Sequence, residues 1–321
     1  MGTSAVILGA SGFGGGELLR YLSSHPGIDA VALGAGSKEG MALGEVHPNL
    51  LDTSHELLPL EDAARHDADV CFSCLPSGIL GSVIDTVAAP VIVDVADDYR
   101  GDDSWVYSVT EFARAALPGA TRIANPGCYP TATLLAVVPF ARAGTIGGPV
   151  IVDGFSGVTG AGRKAEERLS AAVVEGNIAA YGTVPHRHVP EMERALGTWG
   201  GNEMTVSFIP HLVPMPRGLL VTARAALARE LEDSEALEIL HDLYDGERFV
   251  QVVDRWPSTK PVSGSNSAHV FACVDQRAGM LIMTAAIDNL GKGAAGQAVQ
   301  NANVVFGLDE GDGLPAIGVW P

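Results

Sequence analysis

The sequence predicts an α/β protein: a doubly wound domain with a parallel sheet, then a second domain of α+β type. Three features carry that expectation. Short apolar, β-branched runs alternate with helical stretches through the first half; a glycine-rich turn stands at the first strand-to-helix junction; and near Cys128 the alternation gives way to strands in a less regular order. With 321 residues, 47% of them hydrophobic, the chain can bury two cores rather than one.

The first half reads in order as "SAVILGA", "GGGELLRYLSS", "DAVALGA", "ADVCFSCLP", "GSVIDTVAA" and "PVIVDVA", the alternation that βαβ units produce. Past Cys128 a helix, "TATLLAVVPFARAG", precedes the strands "PVIVDGFSG", "NEMTVSFIPHL", "GLLVTARAAL", "HVFACVD" and "MLIMTAAID". One clear helix, "SEALEILHDLYDG", divides them, so the second sheet is expected to be antiparallel or mixed. The tail "GKGAAGQAVQNANVVFGL" sets Ala294, Ala298, Ala302, Val305 and Phe306 at helical spacing between glycines. No repeat or low-complexity linker interrupts the chain.

Composition removes several classes of function. The 38 acidic residues outnumber 20 lysines and arginines for a net charge of -18, which repels nucleic-acid backbones and anionic membranes. Any anionic substrate then needs a local basic pocket. The start "MGTSAVILGA" lacks the basic head and cleavage site of a signal peptide, and no apolar run nears the ~18 residues of a membrane span. Four cysteines are too few for a disulfide framework, so a reducing, cytoplasmic setting is expected.

The opening strand runs into Gly9-Ala10-Ser11-Gly12-Phe13-Gly14-Gly15-Gly16 and then a helix, where a glycine turn lets backbone amides approach a pyrophosphate. The spacing is G-x-x-G-x-x-G, and glycines also serve tight turns that bind nothing. The second strand ends in "GAGSKEG", so Ser37 and Lys38 stand where an NAD site usually places an acid. A hydroxyl and a cation suit a 2'-phosphate and favour NADP, although Lys38 also suits an exposed polar turn.

Of the cysteines, Cys128 stands apart. Cys71 and Cys74 make C-x-x-C on a strand, where residues three apart face opposite ways, and no second C-x-x-C completes a zinc site. Core packing fits both of them, and Cys273 as well. In "ANPGCYPT", Asn125-Pro126-Gly127 forms a sharp turn, and Pro130 suits the first helical position. Cys128 is thus expected at a helix N-terminus, where amides and the positive dipole end stabilise a thiolate and can hold an oxyanion. A small residue packed beneath the turn is the competing account. In "VPHRHVPEM", His186 and His188 flank Arg187; an extended segment would turn both imidazoles one way, as acid-base and substrate-binding groups. The same H-x-H pair fits zinc or a structural histidine, but no third ligand stands at a recognisable spacing and no metal is expected. Two further stretches have the character of anion sites. "DGFSGVTGAGRKA" combines Ser156, Thr159 and Gly160 with Arg163 and Lys164, and "IPHLVPMPRG" sets His211 and Arg217 around three prolines.

Together "GASGFGGGELLR", "NPGCYPTA", "SGVTGAGRK", "HRHVPE", "PHLVPMPRG" and "DNLGKGAAGQAVQN" closely resemble the N-acetyl-gamma-glutamyl-phosphate reductase family of arginine biosynthesis, nearly end to end. Phe13-Gly14 stands where the family often has Tyr-Thr, and Thr159 where Ser is frequent. The resemblance implies a Rossmann-type first domain over 1–127 and 290–321. It also implies an α+β catalytic and oligomerisation domain over 128–289, like those of semialdehyde and glyceraldehyde-phosphate dehydrogenases. It implies reduction of an acyl phosphate by NADPH through a thioester on Cys128, with His188 as acid-base group and His186 as substrate or thiolate partner. Asn125, Ser156, Arg163, His211 and Arg217 become the candidate substrate residues. Gly9, Ser11, Gly12, Phe13, Gly14, Ser37, Lys38, Cys74, Pro76, Gly160, Asn289, Lys292 and Gly293 become the candidate cofactor residues. A homodimer or homotetramer is expected.

Two relatives compete. A lysine-pathway homologue takes its substrate on an acidic carrier protein, which calls for a basic docking surface that a chain at -18 can hardly supply. Aspartate-semialdehyde dehydrogenase shares the architecture but is not expected to carry "HRHVPE" with "PHLVPMPRG". A non-catalytic NADP-binding sensor would need neither Cys128 nor the histidines.

Overall fold

The computed structural model describes residues 2–50, 55–182 and 184–320. The chain divides into two units. The first runs to Gly127 and includes Ala294–Leu314; the second is Cys128–Gly293 with the tail from Pro315. That tail joins the second unit because the Asn266 amide donates to the Pro315 carbonyl and the Val319 amide to that of Ser263, which the expected 290–321 segment did not foresee.

The first unit holds a seven-stranded sheet in the order β3-β2-β1-β4-β5-β7-β6. Its strands are β1 (Thr3–Leu8), β2 (Ile28–Ala35), β3 (Leu58–Pro59), β4 (Val70–Ser73), β5 (Val91–Asp94), β6 (Val106–Tyr107) and β7 (Arg122–Ala124). Every pairing is parallel. The central strand β1 is buried on both faces: Ala5, Val6, Ile7 and Leu8 are at most 1% exposed, which is why "AVIL" is continuous rather than alternating. The helix Phe13–Leu22 follows β1 and packs against the late helix Gly296–Val305, so the segment Ala294–Leu314 completes the first unit.

At the end of β5, Asp94 is fully buried, and loss of hydration pushes its carboxyl from the ordinary 3.8 up to about 6. The folded state therefore binds this proton more tightly than the unfolded chain. The stability gained is complete below the unfolded pKa and is lost as pH rises through about 6. Asp94→Asn removes the cost of a buried charge, so its melting temperature should exceed that of the wild type at pH 8 and approach it only below the unfolded carboxyl value of 3.8 in scanning calorimetry.

The second unit holds a mixed seven-stranded sheet in the order β12-β13-β14-β11-β8-β10-β9. The strands are β8 (Ile146–Ser156), β9 (Ala179–Ala180), β10 (Val206–Leu212), β11 (Leu219–Leu227), β12 (Val250–Val252), β13 (Ala268–Asp275) and β14 (Met280–Ile287). β8 and β10 run parallel, as do β12 and β13; the other pairings are antiparallel. One face is covered by the helix Cys128–Arg142, flanked by Val189–Gly200 and Asp233–Tyr244. Thirteen residues of the first of these, from Tyr129 through Ala141, are buried, as a helix apolar all round requires.

Val189–Gly200 is a second helix where the sequence suggested one. Its signals are local: Pro190 in the first turn, Gly201 in the left-handed region (φ 81°) at the end, and Val189, Met192 and Leu196 buried on one side. Among the described residues, no helix is long and apolar enough to cross a membrane.

Candidate active site

In the first unit, β1 ends in the turn that the glycines require. Gly9 has φ 80°, and a Cβ there would lie 2.4 Å from the Cys74 carbonyl oxygen, so only glycine fits. The Gly12 amide closes the turn on the Gly9 carbonyl at 3.0 Å, and the helix starts at Phe13. A Cβ on Gly14 would meet nothing within 4 Å, which leaves room beside the first-turn amides for a pyrophosphate. These residues fit a dinucleotide. Ser11, Phe13 and Gly14 are half-buried, while Ser37 and Lys38 follow the end of β2, the strand beside β1. Cys74 and Pro76 follow β4 on the other side of β1, with the Cys74 amide on the Leu8 carbonyl at 2.8 Å. Burial pushes both the Cys71 and Cys74 thiols up to about 12, so neither is a thiolate near neutral pH.

The turn has a support that sequence did not reveal. His47 is buried, its Nε2 lies 2.8 Å from the Ala10 carbonyl oxygen, and its ring occupies the space that a side chain on Gly16 would fill.

Asn125 anchors the end of β7 and is fully buried. Its Nδ2 donates to the Ala294 carbonyl (3.1 Å), its Oδ1 accepts from Asn301 Nδ2 (3.2 Å), and its own carbonyl accepts from Arg100 (2.9 Å). A side chain so enclosed anchors the turn and offers substrate no surface.

In the second unit the helix begins at Cys128 itself, so Pro130 is its third residue; a missing N–H costs nothing in a first turn, where amides have no intrahelical acceptor. The thiol is half-buried at that terminus. Gly293 packs directly on it, since a Cβ there would lie 2.8 Å from Cys128 Cβ.

His186 and His188 sit side by side, ring centres 4.8 Å apart, both at least nine-tenths buried, while Arg187 is exposed. The segment is a turn and not extended: the Val189 amide bonds the His186 carbonyl (2.9 Å), and His188 caps the following helix with φ -82° and ψ -10°. Turn geometry, not strand alternation, therefore pairs the rings. The His188 amide donates to His186 Nδ1 at 3.2 Å, which puts any proton of a neutral His186 on Nε2. Burial, and then the Arg187 charge, hold the His186 pKa below its ordinary value.

Tyr129, next to the thiol, faces both imidazoles, with ring centres 6.5 Å from His186 and 6.1 Å from His188, and meets Phe208 edge-on at 4.9 Å. Its hydroxyl donates to the His211 carbonyl and accepts from Tyr181, both at 3.3 Å. Burial holds this phenol far above its usual pKa, so it stays neutral.

The two anion-like stretches form one structure. The amides of Val158 and Thr159 donate to the carbonyls of Met215 and Pro216, and that of Gly157 to Gly218. Asn289 bridges them, donating to Thr159 Oγ1 (2.9 Å) and accepting from the Gly218 amide (2.8 Å). Ser156 is buried at the base of the loop, and its Oγ lies 3.1 Å from where a Cβ on Gly160 would stand. Arg217 donates through Nε to Asp288 (2.9 Å), whose fully buried carboxylate also accepts from the amides of Gly264, Leu290 and Gly291. Arg163 is exposed.

Two expected contacts take another form. His211 stacks on Phe155 at 4.7 Å, and strand alternation sets both on the sheet face opposite Phe208 and Pro210, away from the histidine pair. Lys292 is 0% exposed, with its Nζ 5.9 Å from the Phe249 ring centre, and so presents no side chain to a cofactor.

A family model described as the NAD binding domain of semialdehyde dehydrogenase matches residues 4–120, and one described as its dimerisation domain matches residues 128–289. The chain is 39% identical to the N-acetyl-gamma-glutamyl-phosphate reductase of Acidothermus cellulolyticus and 41% to that of Salinispora arenicola, with 100% of each chain covered. Identity to the Thermus thermophilus protein of that name is 41%, over 98% of this chain and 99% of the relative. Among solved structures, aspartate semialdehyde dehydrogenase II of Vibrio cholerae superposes with TM-score 0.75 at 17% identity, covering 95% of this chain and 98% of that one. The Candida albicans aspartate semialdehyde dehydrogenase with NADP gives 0.72 at 18% identity, with the same coverage; at such identity the likeness is one of fold. The arrangement around Cys128, read with full-length relatives at this identity, leads to one conclusion: the chain belongs to the N-acetyl-gamma-glutamyl-phosphate reductase family, within the semialdehyde dehydrogenases.

Proposed function

We propose that the protein reduces N-acetyl-gamma-glutamyl phosphate to N-acetyl-L-glutamate 5-semialdehyde with NADPH, releasing phosphate, in arginine biosynthesis. The observation that carries this reading is a half-buried thiol at a helix N-terminus, followed by a tyrosine that faces a buried histidine pair.

The Cys128 thiolate, favoured by the helix terminus, attacks the acyl carbon; the bond to the phosphate oxygen breaks and a thioester forms. Bound NADPH supplies a hydride for the thioester carbon. His188 then gives a proton to the oxyanion and takes it back as the carbon–sulfur bond breaks, which frees the aldehyde and restores the thiolate. His186 suits a different task. With Nδ1 engaged by the His188 amide and its pKa lowered, it is a neutral Nε2–H donor that orients the substrate oxygen. Ser156, on the joined loops, and Arg217 serve the phosphate or the carboxylate.

An NADP-coupled assay in the aldehyde-to-acyl-phosphate direction, with N-acetyl-glutamate semialdehyde and phosphate, tests the reading; turnover only with carrier-linked substrate would favour the lysine-pathway reaction. Lys38→Glu should weaken NADPH by about 10–100-fold, the worth of one charged hydrogen bond of ~1.5–3 kcal/mol, and improve NADH, as read from the two KM values.

The second sheet supports self-association. Its registers align Cys273, Ile282, Arg224, Ile151 and Ser207 in one row on the face without helices, and Phe271, Thr284, Thr222, Asp153 and Ile209 in the next. Ile151 is 40% and Ile209 46% exposed, and Arg224 pairs with Asp153, so these rows mix exposed isoleucines with polar side chains whose two charges cancel, on an otherwise acidic chain. A homodimer through this face fits, and Ile209→Asp should yield monomers in sedimentation analysis.

A further inference from the structure

We infer that Tyr129 is a positioning residue that holds the His186–His188 pair in register with the Cys128 thiol; this rests on Cys128 being the nucleophile. Tyr129 follows Cys128 in the same helical turn, so its backbone moves with the thiol, while its ring faces both imidazoles at 6.5 and 6.1 Å. The far end of the side chain is fixed as well. Its hydroxyl donates to the backbone of β10 at His211 and accepts from Tyr181, whose ring centre in turn lies 6.3 Å from that of His186. One side chain thus links the nucleophile's helix, the strand bearing Phe208 and the turn bearing both histidines.

The sheet makes room for this ring at one place. A Cβ on Gly154 of β8 would lie 2.5 Å from Tyr129 Cε1 and 2.9 Å from Phe208 Cε2, so the ring lies directly on the strand where no side chain stands. Gly154 has an ordinary strand backbone that alanine adopts without strain, and the added methyl would act by displacing Tyr129 and Phe208. A ring that merely filled the core would cost stability when cut back and leave the chemistry of surviving molecules unchanged. A ring that sets the distance between thiol and imidazoles would change the reaction itself.

The test compares Tyr129→Phe, Tyr129→Leu and Gly154→Ala in the full-length protein. Tyr129→Leu and Gly154→Ala are expected to lower kcat by about 10–100-fold, the effect of a misplacement near 1 Å, and to move the acid limb of the kcat/KM pH profile. KM for the acyl phosphate should stay within about threefold, as when transition-state interactions alone are lost. Tyr129→Phe, which keeps the ring, should retain kcat within about tenfold, the worth of one neutral hydrogen bond. Without cofactor, the rate at which iodoacetamide alkylates Cys128 should shift its pH dependence in Tyr129→Leu and Gly154→Ala, and not in Tyr129→Phe. Should Tyr129→Leu fail to fold, Gly154→Ala decides. Variants that melt lower yet keep the wild-type kcat, pH profile and alkylation profile would overturn the positioning role alone. Full activity in Cys128→Ser would instead remove the reading on which it rests.

Discussion

Cys128→Ser will fold as the wild type does and lose reductase activity by at least ~10³-fold, the scale seen when a covalent nucleophile is removed. The side chain is half-buried at the start of the helix, and exchanging sulfur for oxygen there opens no large cavity, so the melting temperature should move little. The loss must fall on kcat. A serine hydroxyl, essentially un-ionised near neutral pH, is a far weaker nucleophile than a thiolate. Substrate binding should survive, because the joined loops and the histidine pair remain. The measurement is kcat and KM for the acyl phosphate beside a calorimetric melt; unchanged kcat would remove the thioester from the mechanism.

The second large effect is on stability. Asp288→Ala should destabilise the second unit by about 3–5 kcal/mol, the cost of breaking a buried ion pair from one side. The carboxylate is fully buried and gathers Arg217, Gly264, Leu290 and Gly291, so its loss removes one charge-assisted contact from the guanidinium and an acceptor from three backbone amides. Arg217 is 25% exposed and water compensates it in part, which places the expectation at the lower end of that range. For a unit of this size the melting temperature should fall by roughly 6–12 °C. Asp288→Asn keeps an oxygen for the Leu290 and Gly291 amides, and should lose about half as much. An unchanged melt in Asp288→Ala would show that Arg217 and the following turn are held by other contacts.

The parts of the protein that sequence displayed are those that chemistry makes local. A glycine with φ 80° beside a strand end, continuous apolar strands in a parallel sheet, and a cysteine after Asn-Pro-Gly each declare themselves within about ten residues. What sequence did not display depends on distant partners. Asp288 and Arg217 are 71 residues apart, and nothing near either one foretells that a carboxylate occupies the arginine. The loops after Ser156 and Val213 read as two independent anion sites, yet each supplies the other's hydrogen bonds and Asn289 joins them. His211 stood beside a basic loop in sequence, and strand alternation turned its ring to the other face. The histidine pair was legible for an incomplete reason: H-x-H suggested a strand, whereas the rings meet across a turn that starts a helix. Tyr129 gave no signal, because a tyrosine in an apolar helix looks like core until its neighbours are known.

The most direct test of the account is to mix the protein with N-acetyl-gamma-glutamyl phosphate in the absence of NADPH, quench in acid, and weigh the intact chain and its peptides by mass spectrometry. A single N-acetylglutamyl adduct is expected on the peptide carrying Cys128, formed with release of phosphate and discharged when NADPH is added before the quench. Turnover with NADPH but no adduct without it, or an adduct on any residue other than Cys128, would contradict it.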